Sequence, residues 1–422
     1  MKKFIYEVLC FTFLSSAAAA QSGWIQQNSG VTAALMSVFF VDSNTGFIAG
    51  TGNGTILKTT NGGTNWSNLS LGTGNSFNSI FFVQSTGYVV GNGGMIYKTI
   101  NSGLSWVEQT SGTTFGLYSV VFTDANTGYA AGSDLDPPNS VILKTTNGGT
   151  NWNLLTLPIG SFGMRSLHFF DSNTGFVSGA FGRVIKTTNG GNTWISQNLL
   201  PNESNLISIY FSDLNTGYIS GGDPFTGGLI FKTTNSGANW VQQLSGNNGY
   251  FYSVTLPAGA GESSVFASGE SGKILRSSTG GVSWNSQISG VSSSIRSVVF
   301  TSSNTGYAVG NNGVILKTTT GGVVTGFTQS GSQLPNKFFL SQNFPNPFNP
   351  STIINYQLAI NSFVSVKIHN IIGDEVATLV NEKQNAGSYS VDFNAASLPS
   401  GVYYYKLFTG NFSETKKMVL IK

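Results

Sequence analysis

Charge is what this sequence has least of. Of its 422 residues only 9% are Asp, Glu, Lys or Arg, against about a quarter in an ordinary soluble domain. Its solvated surface must therefore be built from Asn, Ser, Thr and Gly. An acidic or basic interaction tail is excluded, and a net charge of +3 supplies no basic field to draw nucleic acid. The two histidines, His168 and His369, lack companion ligands, so no metal site and no cofactor is expected. There is one cysteine, Cys10. No apolar run after the first twenty residues is long enough to span a bilayer. Aromatics at 13% argue against disorder, and the length allows two or three domains of about 100 to 200 residues.

Residues 1–20 read as an export leader. Lys2 and Lys3 precede an apolar stretch from Phe4 to Ala20 that ends in small residues, with Ala18 and Ala20 placing cleavage before Gln21. The alternative, a membrane anchor, fits less well, because the stretch is short, carries Glu7 and ends in a processing signature. Cleavage would discard Cys10 and leave 18 basic and 16 acidic residues, a net charge of +2. The mature chain would then have no disulfide and rely on its core alone.

All seven tryptophans fall in one register: Trp24, Trp66, Trp106, Trp152, Trp194, Trp240 and Trp284, at spacings of 42, 40, 46, 42, 46 and 44 residues. In the first unit a strand at Ser37 to Phe40 leads through Asn44-Thr45-Gly46 to a second from Phe47, and a third, Ile56 to Lys58, enters a turn ending at Trp66. The Asn-Thr-Gly turn returns at Asn126, Asn173, Asn215 and Asn304, with a Ser85 variant, and is missing only from the sixth unit. Short strands and glycine turns repeating every forty-odd residues indicate four-stranded blades around an axis. The expected fold is all-β, a seven-bladed propeller over residues 24–328. A helical solenoid is excluded by the glycines, the β-branched residues and the lack of an apolar 3.6 period.

The last unit, residues 297–325, has no Trp. Trp24 to Gln27 is expected to supply its outer strand and close the ring, removing an exposed edge. The rival arrangement has Phe327 finishing the blade.

The turn before each Trp resembles the Asp-box, Ser/Thr-x-Asp-x-Gly-x-Thr/Ser-Trp, of sialidase-type (BNR-repeat) propellers. It is carried by Thr59, Asn61, Gly63 and Trp66, and in later copies by Asn101 and Trp106, Asn147 and Trp152, Asn189 and Trp194, Asn235 and Trp240, and Thr279 and Trp284. The acidic position is Asn or Thr throughout, which keeps a turn acceptor while dropping the charge. The wider pattern Gly54, Ile56, Lys58, Thr59, Gly62, Gly63, Trp66 is similar to the photosystem II assembly factor family. The resemblance implies the fold and leaves the role open, because one fold hosts many functions.

Beyond a Gly/Ser-rich linker at residues 329–340, strands are expected at Ile353 to Leu358, Val364 to His369, Ser388 to Phe393 and Val402 to Leu407, with turns at Gly373, Gly387 and Gly401. This reads as a small antiparallel, immunoglobulin-like sandwich at residues 341–422. Asn346-Pro347-Phe348-Asn349-Pro350-Ser351-Thr352, Ile371-Ile372-Gly373-Asp374-Glu375-Val376, Leu398 to Tyr403 with Gly401, and Lys416-Lys417-Met418 resemble the type A C-terminal sorting domain of type IX secretion. That resemblance implies export by way of the periplasm, the type IX machinery as a partner, and release or attachment at the outer cell surface, usually with loss of the domain. An ordinary carbohydrate-binding sandwich is the alternative.

Chemistry on this scaffold is sparse. A sialidase-like site needs several arginines, and the chain has only Arg165, Arg183, Arg276 and Arg296. Arg276 shares a repeated basic position with Lys58, Lys98, Lys144, Lys186, Lys232 and Lys317, read as a solvated ring capping turns. A glycosidase needs two carboxylates flanking the bond. Asp42, Asp124, Asp171 and Asp213 precede the Asn-Thr-Gly turns, where capping is the default role. Asp134, Asp136 and Asp223 are expected on insertions between second and third strands, sharing a face with the crossovers into each next blade. Glu203, Glu262 and Glu270 are also irregular. Tyr118, Arg165, Tyr252 and Arg296 precede inner strands and could line the same mouth, suiting a glycan or a peptide. The expectation is a monomeric, non-catalytic binding module for a surface glycan or protein; the alternative is a carbohydrate-active hydrolase using the insertion acids.

Overall fold

The computed structural model describes residues 23–421 apart from 135–138, 201–203, 224–226, 247–248, 260, 324–336 and 411. The chain divides into two compact units, Met1–Gly326 and Phe327–Lys422.

The first unit contains seven four-stranded antiparallel sheets. Blade 1 consists of Leu35–Phe40, Gly46–Gly50, Ile56–Thr59 and Ser67–Asn68, from the axis outward. Blades 2 to 6 repeat the plan, their inner strands being Phe77–Val83, Gly116–Phe122, Ser166–Phe169, Asn205–Phe211 and Phe251–Thr255. Each inner strand touches those of the two neighbouring blades, so the ring is complete. Blade 7 is Ile295–Phe300, Gly306–Gly310 and Ile315–Thr318, with Ile25–Gln27 outermost in the register Ile25 to Lys317 and Gln27 to Ile315. The two ends of the repeat array therefore share one sheet, as Trp24 led us to expect. Phe327, the rival closing residue, lies outside the described residues.

Sequence pattern explains the radial order. The second strand, such as Gly46–Gly50, is apolar at every position between its glycines and buried throughout, whereas the outermost, Ser67–Asn68, is exposed. A short polar outer edge offers little to a foreign strand. Between blades the packing is aromatic. The ring ending an inner strand stacks on a ring of the preceding blade's second strand: Phe40 on Tyr307 at 4.0 Å, Phe82 on Phe47 at 3.9 Å, Phe122 on Tyr88 at 3.8 Å and Phe169 on Tyr129 at 3.8 Å. The cassette Trp meets the same ring edge-on, as in Phe40 with Trp66 and Phe82 with Trp106. Such pairs add about 0.5 to 1.5 kcal/mol each beyond burial. They also explain the glycine of Asn-Thr-Gly: a Cβ on Gly46 would lie 2.6 Å from the Phe40 ring. Blade 6, which lacks the turn, also lacks the aromatic and presents Val254 and Leu256 to Tyr218 and Trp284.

In the five cassettes with Asn at the acidic position that side chain accepts two hydrogen bonds. Asn61 Oδ1 takes the Thr59 hydroxyl at 3.0 Å and the Asn65 N–H at 2.9 Å, while Thr59 Oγ1 accepts the Gly63 N–H at 2.9 Å. Gly63 sits at φ +78°, the left-handed conformation glycine adopts without strain. Thr279 plays the part of Asn61 in blade 6, accepting the Ser283 N–H at 2.9 Å.

The repeated lysines cap turns as expected, but not as a solvated ring. They are half-buried and reach across to the next blade, Lys98 Nζ to Gly148 O at 2.6 Å, Lys144 to Gly190 O at 2.8 Å and Lys232 to Gly280 O at 2.8 Å. Lys317 closes the circle on Gly62 O at 2.6 Å. Tyr88, Tyr218 and Tyr307 donate to the same carbonyls at 2.9 to 3.0 Å. Burial pushes the hydroxyls of Tyr88 and Tyr218 up to about 12, so they remain donors. Each Lys ammonium also lies 5.2 to 5.7 Å from an aromatic centroid of its own blade. These lysines latch blades together rather than forming a solvated ring.

The second unit is a sandwich of a three-stranded sheet, Phe339–Leu340, Ser351–Leu358 and Gly387–Asn394, and a four-stranded sheet ordered Glu375–Gln384, Ser362–His369, Gly401–Phe408 and Ser413–Leu420. Its core includes Leu340, Phe348, Ile354, Val366, Tyr405 and Met418. The Asn-Pro-Phe segment clamps the last strand: Asn346 Oδ1 accepts the Val419 N–H at 2.9 Å, and the Phe348 N–H donates to Val419 O at 2.9 Å beneath a buried ring. Pro347, Asn349 and Pro350 are exposed, as is Lys417, and Lys416 pairs with Glu414 at 3.1 Å.

Candidate functional site

At or beside the start of every inner strand stand an apolar residue, one variable residue and a serine: Leu35-Met36-Ser37, Phe77-Asn78-Ser79, Leu117-Tyr118-Ser119, Met164-Arg165-Ser166, Leu206-Ile207-Ser208, Phe251-Tyr252-Ser253 and Ile295-Arg296-Ser297. The serines knit the ring, since Ser37, Ser79, Ser119, Ser166, Ser208 and Ser253 each accept an N–H from the next inner strand at 3.2 to 3.3 Å. The variable residue is left out of the pairing as a bulge in blades 1, 2, 3, 5, 6 and 7, and Arg165 holds the same place just before its strand. Bulges re-aim a side chain away from the sheet. Seven half-buried positions thus surround the axis on the crossover face, Met36, Asn78, Tyr118, Arg165, Ile207, Tyr252 and Arg296.

The four residues chosen from the sequence form two pairs. The Arg165 guanidinium lies 4.2 Å from the Tyr118 ring centroid, and Arg296 lies 4.2 Å from that of Tyr252. Arg296 Nε donates to Asn311 Oδ1 at 3.0 Å, and the Tyr252 hydroxyl donates to Glu270 Oε1 at 3.0 Å. Burial first, with Glu270 beside it, holds the Tyr252 hydroxyl above its ordinary pKa. Asn311 and Glu270 belong to the turns after second strands, so the Tyr252–Arg296 pair is braced by the rim. Met36, Asn78 and Ile207 were not singled out in the sequence, although the recurring apolar-x-Ser triplet marks them. Asn78 Nδ2 donates to Asn92 Oδ1 at 3.1 Å and Leu117 O at 2.9 Å.

The carboxylates behave differently. Asp223 ends the strand Gly217–Asp223 instead of riding on an insertion, is 7% exposed and accepts the Ser204 hydroxyl at 2.7 Å. Asp134 is exposed on blade 3, its N–H bonded to Asn139 O at 3.0 Å. Asp136 lies outside the described residues, as does Glu203. Asp42, Asp124, Asp171 and Asp213 cap their turns: Asp42 Oδ1 accepts from the Asn44 and Thr45 N–H groups at 2.7 and 2.8 Å, which lowers its pKa. Among the described residues no group of three His, Cys, Asp or Glu could hold a metal ion. No described helix is long and apolar enough to cross a membrane.

An open groove also lies on the crossover face where blades 7 and 1 meet, lined by Gln26, Asn28, Thr32, Asn53, Asn68 and Asn312 among others. Its lining is neutral and rich in carboxamides and hydroxyls.

The family model for the photosynthesis system II assembly factor YCF48 matches residues 16–111 and 147–249. That of the secretion system C-terminal sorting domain matches residues 342–422. No curated protein matches the chain. Among solved structures, YCF48 bound to a D1 peptide is 22% identical with a TM-score of 0.58, covering 74% of this chain and 98% of that one. YCF48 from Cyanidioschyzon merolae is 19% identical with a TM-score of 0.57, covering 70% and 98%. Virginiamycin B lyase from Staphylococcus aureus is 14% identical with a TM-score of 0.59, covering 70% and 98%. At these identities the likeness is one of fold. The chain thus joins a β-propeller resembling the photosystem II assembly factor family to a C-terminal sorting domain that marks a protein secreted by the type IX system.

Proposed function

We propose that the mature protein is a non-catalytic, monomeric binding module whose ligand, a surface glycan or a protein segment, sits at the crossover-face mouth of the propeller. The observation that carries this reading is the pair of Tyr–Arg stacks, Tyr118 with Arg165 and Tyr252 with Arg296, each held at 4.2 Å at the variable position of the inner-strand triplet, the second also braced by the rim. An aromatic face beside a guanidinium offers stacking area and fixed donors at low ordering cost, which suits sugars and peptide backbones alike. The neutral groove between blades 7 and 1 extends that surface. Likeness to a propeller recorded with a bound peptide supports a polypeptide among the candidates. Burial and internal bonding of Asp223 weigh against hydrolysis by insertion acids, which would require a second carboxylate facing an open bond.

The route in this proposal runs through leader cleavage before Gln21, the periplasm, and delivery across the outer membrane with removal of residues 341–422 or attachment at the surface. A screen of the exported protein against glycans and surface proteins, repeated with Arg165→Gln and Arg296→Gln together, tests the site. The double variant should bind at least about tenfold more weakly with an unchanged melting temperature. Undiminished binding by that variant would sink the site assignment. Deleting residues 340–422 should trap the protein in the periplasm, and normal delivery of the truncation would refute the route.

A further inference from the structure

The hairpin between Ser362–His369 and Glu375–Gln384 turns through Asn370 to Asp374. Its tip is built from polar bonds. Asn370 Oδ1 accepts the N–H groups of Ile372 at 3.1 Å and Asp374 at 2.9 Å, Asn370 Nδ2 donates to Asp374 Oδ2 at 3.1 Å, and the Asn370 N–H donates to Asp374 O at 2.9 Å. Lys367 and Glu375 clasp the base at 2.7 Å. This fixed turn holds Ile371 and Ile372 out in solvent, 73% and 79% exposed. They are the most exposed large apolar side chains of this unit among the described residues, and its core does not include them. A single exposed apolar residue needs no explanation. Two adjacent ones on a turn this firmly organised form a presented contact, with the ordering cost met before any partner arrives.

We propose that Ile371 and Ile372 seat the sorting domain in an apolar pocket of a protein component of the secretion machinery. Three observations favour a protein pocket over a bilayer. The tip lies inside the segment matched as a secretion sorting domain, whose task requires a receptor. Asp374 adjoins it and the Glu375 charge is matched by Lys367, so the tip offers no net basic charge to draw an anionic membrane surface. Two side chains are also little for stable membrane attachment but enough for an anchor within a larger interface. The inference concerns the sorting unit alone, so its failure would leave the propeller's binding role standing.

The test uses the full chain in a host with a type IX system. Ile371→Ser with Ile372→Ser is compared with Ile360→Ser, a control at a position 57% exposed in the same unit, and with Ile371→Leu plus Ile372→Leu. The serine pair should lower the amount reaching the surface or medium by about tenfold or more, with periplasmic accumulation and an unchanged melting temperature, while the control and the leucine pair export normally. Wild-type export by the serine pair, or equal loss in the Ile360→Ser control, overturns the proposal. So does co-sedimentation of the wild type, but not the serine pair, with vesicles of neutral and anionic phospholipid, which would make the occupant a bilayer.

Discussion

Replacing His168 with Phe should flatten the acid side of the stability profile. His168 lies on the inner strand of blade 4 with its ring 5.0 Å from Phe170, 5.6 Å from Tyr210 and 5.6 Å from Phe211. Burial among these rings lowers its pKa from 6.5 to about 4. Between those values the unfolded chain holds a proton that the native chain refuses, so stability is complete above about pH 6.5 and falls as the pH drops toward 4. At about 1.4 kcal/mol per unit, lowering the pH from 7 to 4.5 removes about 2.4 kcal/mol through this group, and solvent at the ring edge reduces the working figure to about 2. Phe39 and Phe81 occupy the same place in blades 1 and 2, so an aromatic fits there. Urea unfolding of both proteins at several pH values between 7 and 4.5 measures the difference. The variant should lose about 2 kcal/mol less than the wild type over that interval. Parallel profiles would mean that His168 is solvated or charged in the native state, and the reasoning would fail.

Trp24→Ala should cost about 3 to 5 kcal/mol, since the indole is 2% exposed and packs edge-on against Phe300 at 6.0 Å and Phe266 at 6.5 Å; a large drop in melting temperature checks it. Asn61→Asp should leave stability within about 0.5 kcal/mol, because the carboxylate keeps both acceptor bonds, whereas Asn61→Leu should cost about 1 to 2 kcal/mol by removing the acceptor of the part-buried Thr59 hydroxyl and of the Asn65 N–H; thermal melts of the two variants separate the outcomes.

The propeller was legible because its signals recur. One Trp register or one Asn-Thr-Gly turn is weak evidence, but the same cassette in phase with strand-length apolar runs leaves few other folds. Closure by Trp24 followed from the last repeat lacking its own Trp. The lysine latches were hidden, because the carbonyl that Lys98 reaches belongs to Gly148, fifty residues on, and nothing local marks it. In the sandwich, the strands Glu375–Gln384 and Ser413–Leu420 went unread, and Phe339–Leu340, which pairs with Gln357 and Tyr356, falls in the stretch expected to be linker. Glu375–Gln384 is paired through two register shifts that break its alternation, and the first five residues of Ser413–Leu420 are polar or charged. At the mouth, choosing residues by chemical type found Tyr118, Arg165, Tyr252 and Arg296 but passed over Met36, Asn78 and Ile207, which share their positions.

The strand that completes blade 7 also orders events in time. Ile25 pairs with Lys317, 292 positions later in the chain, so a polypeptide emerging amino end first carries an unpaired closing strand until its last repeat has followed. Blades 1 to 6 draw on consecutive sequence and can assemble as they emerge, while the final sheet must wait for its distant partner and bear the entropy of closing so long a loop. The ring is therefore locked only once Ile315–Thr318 is in place to receive the first strand, which makes closure the last step of assembly.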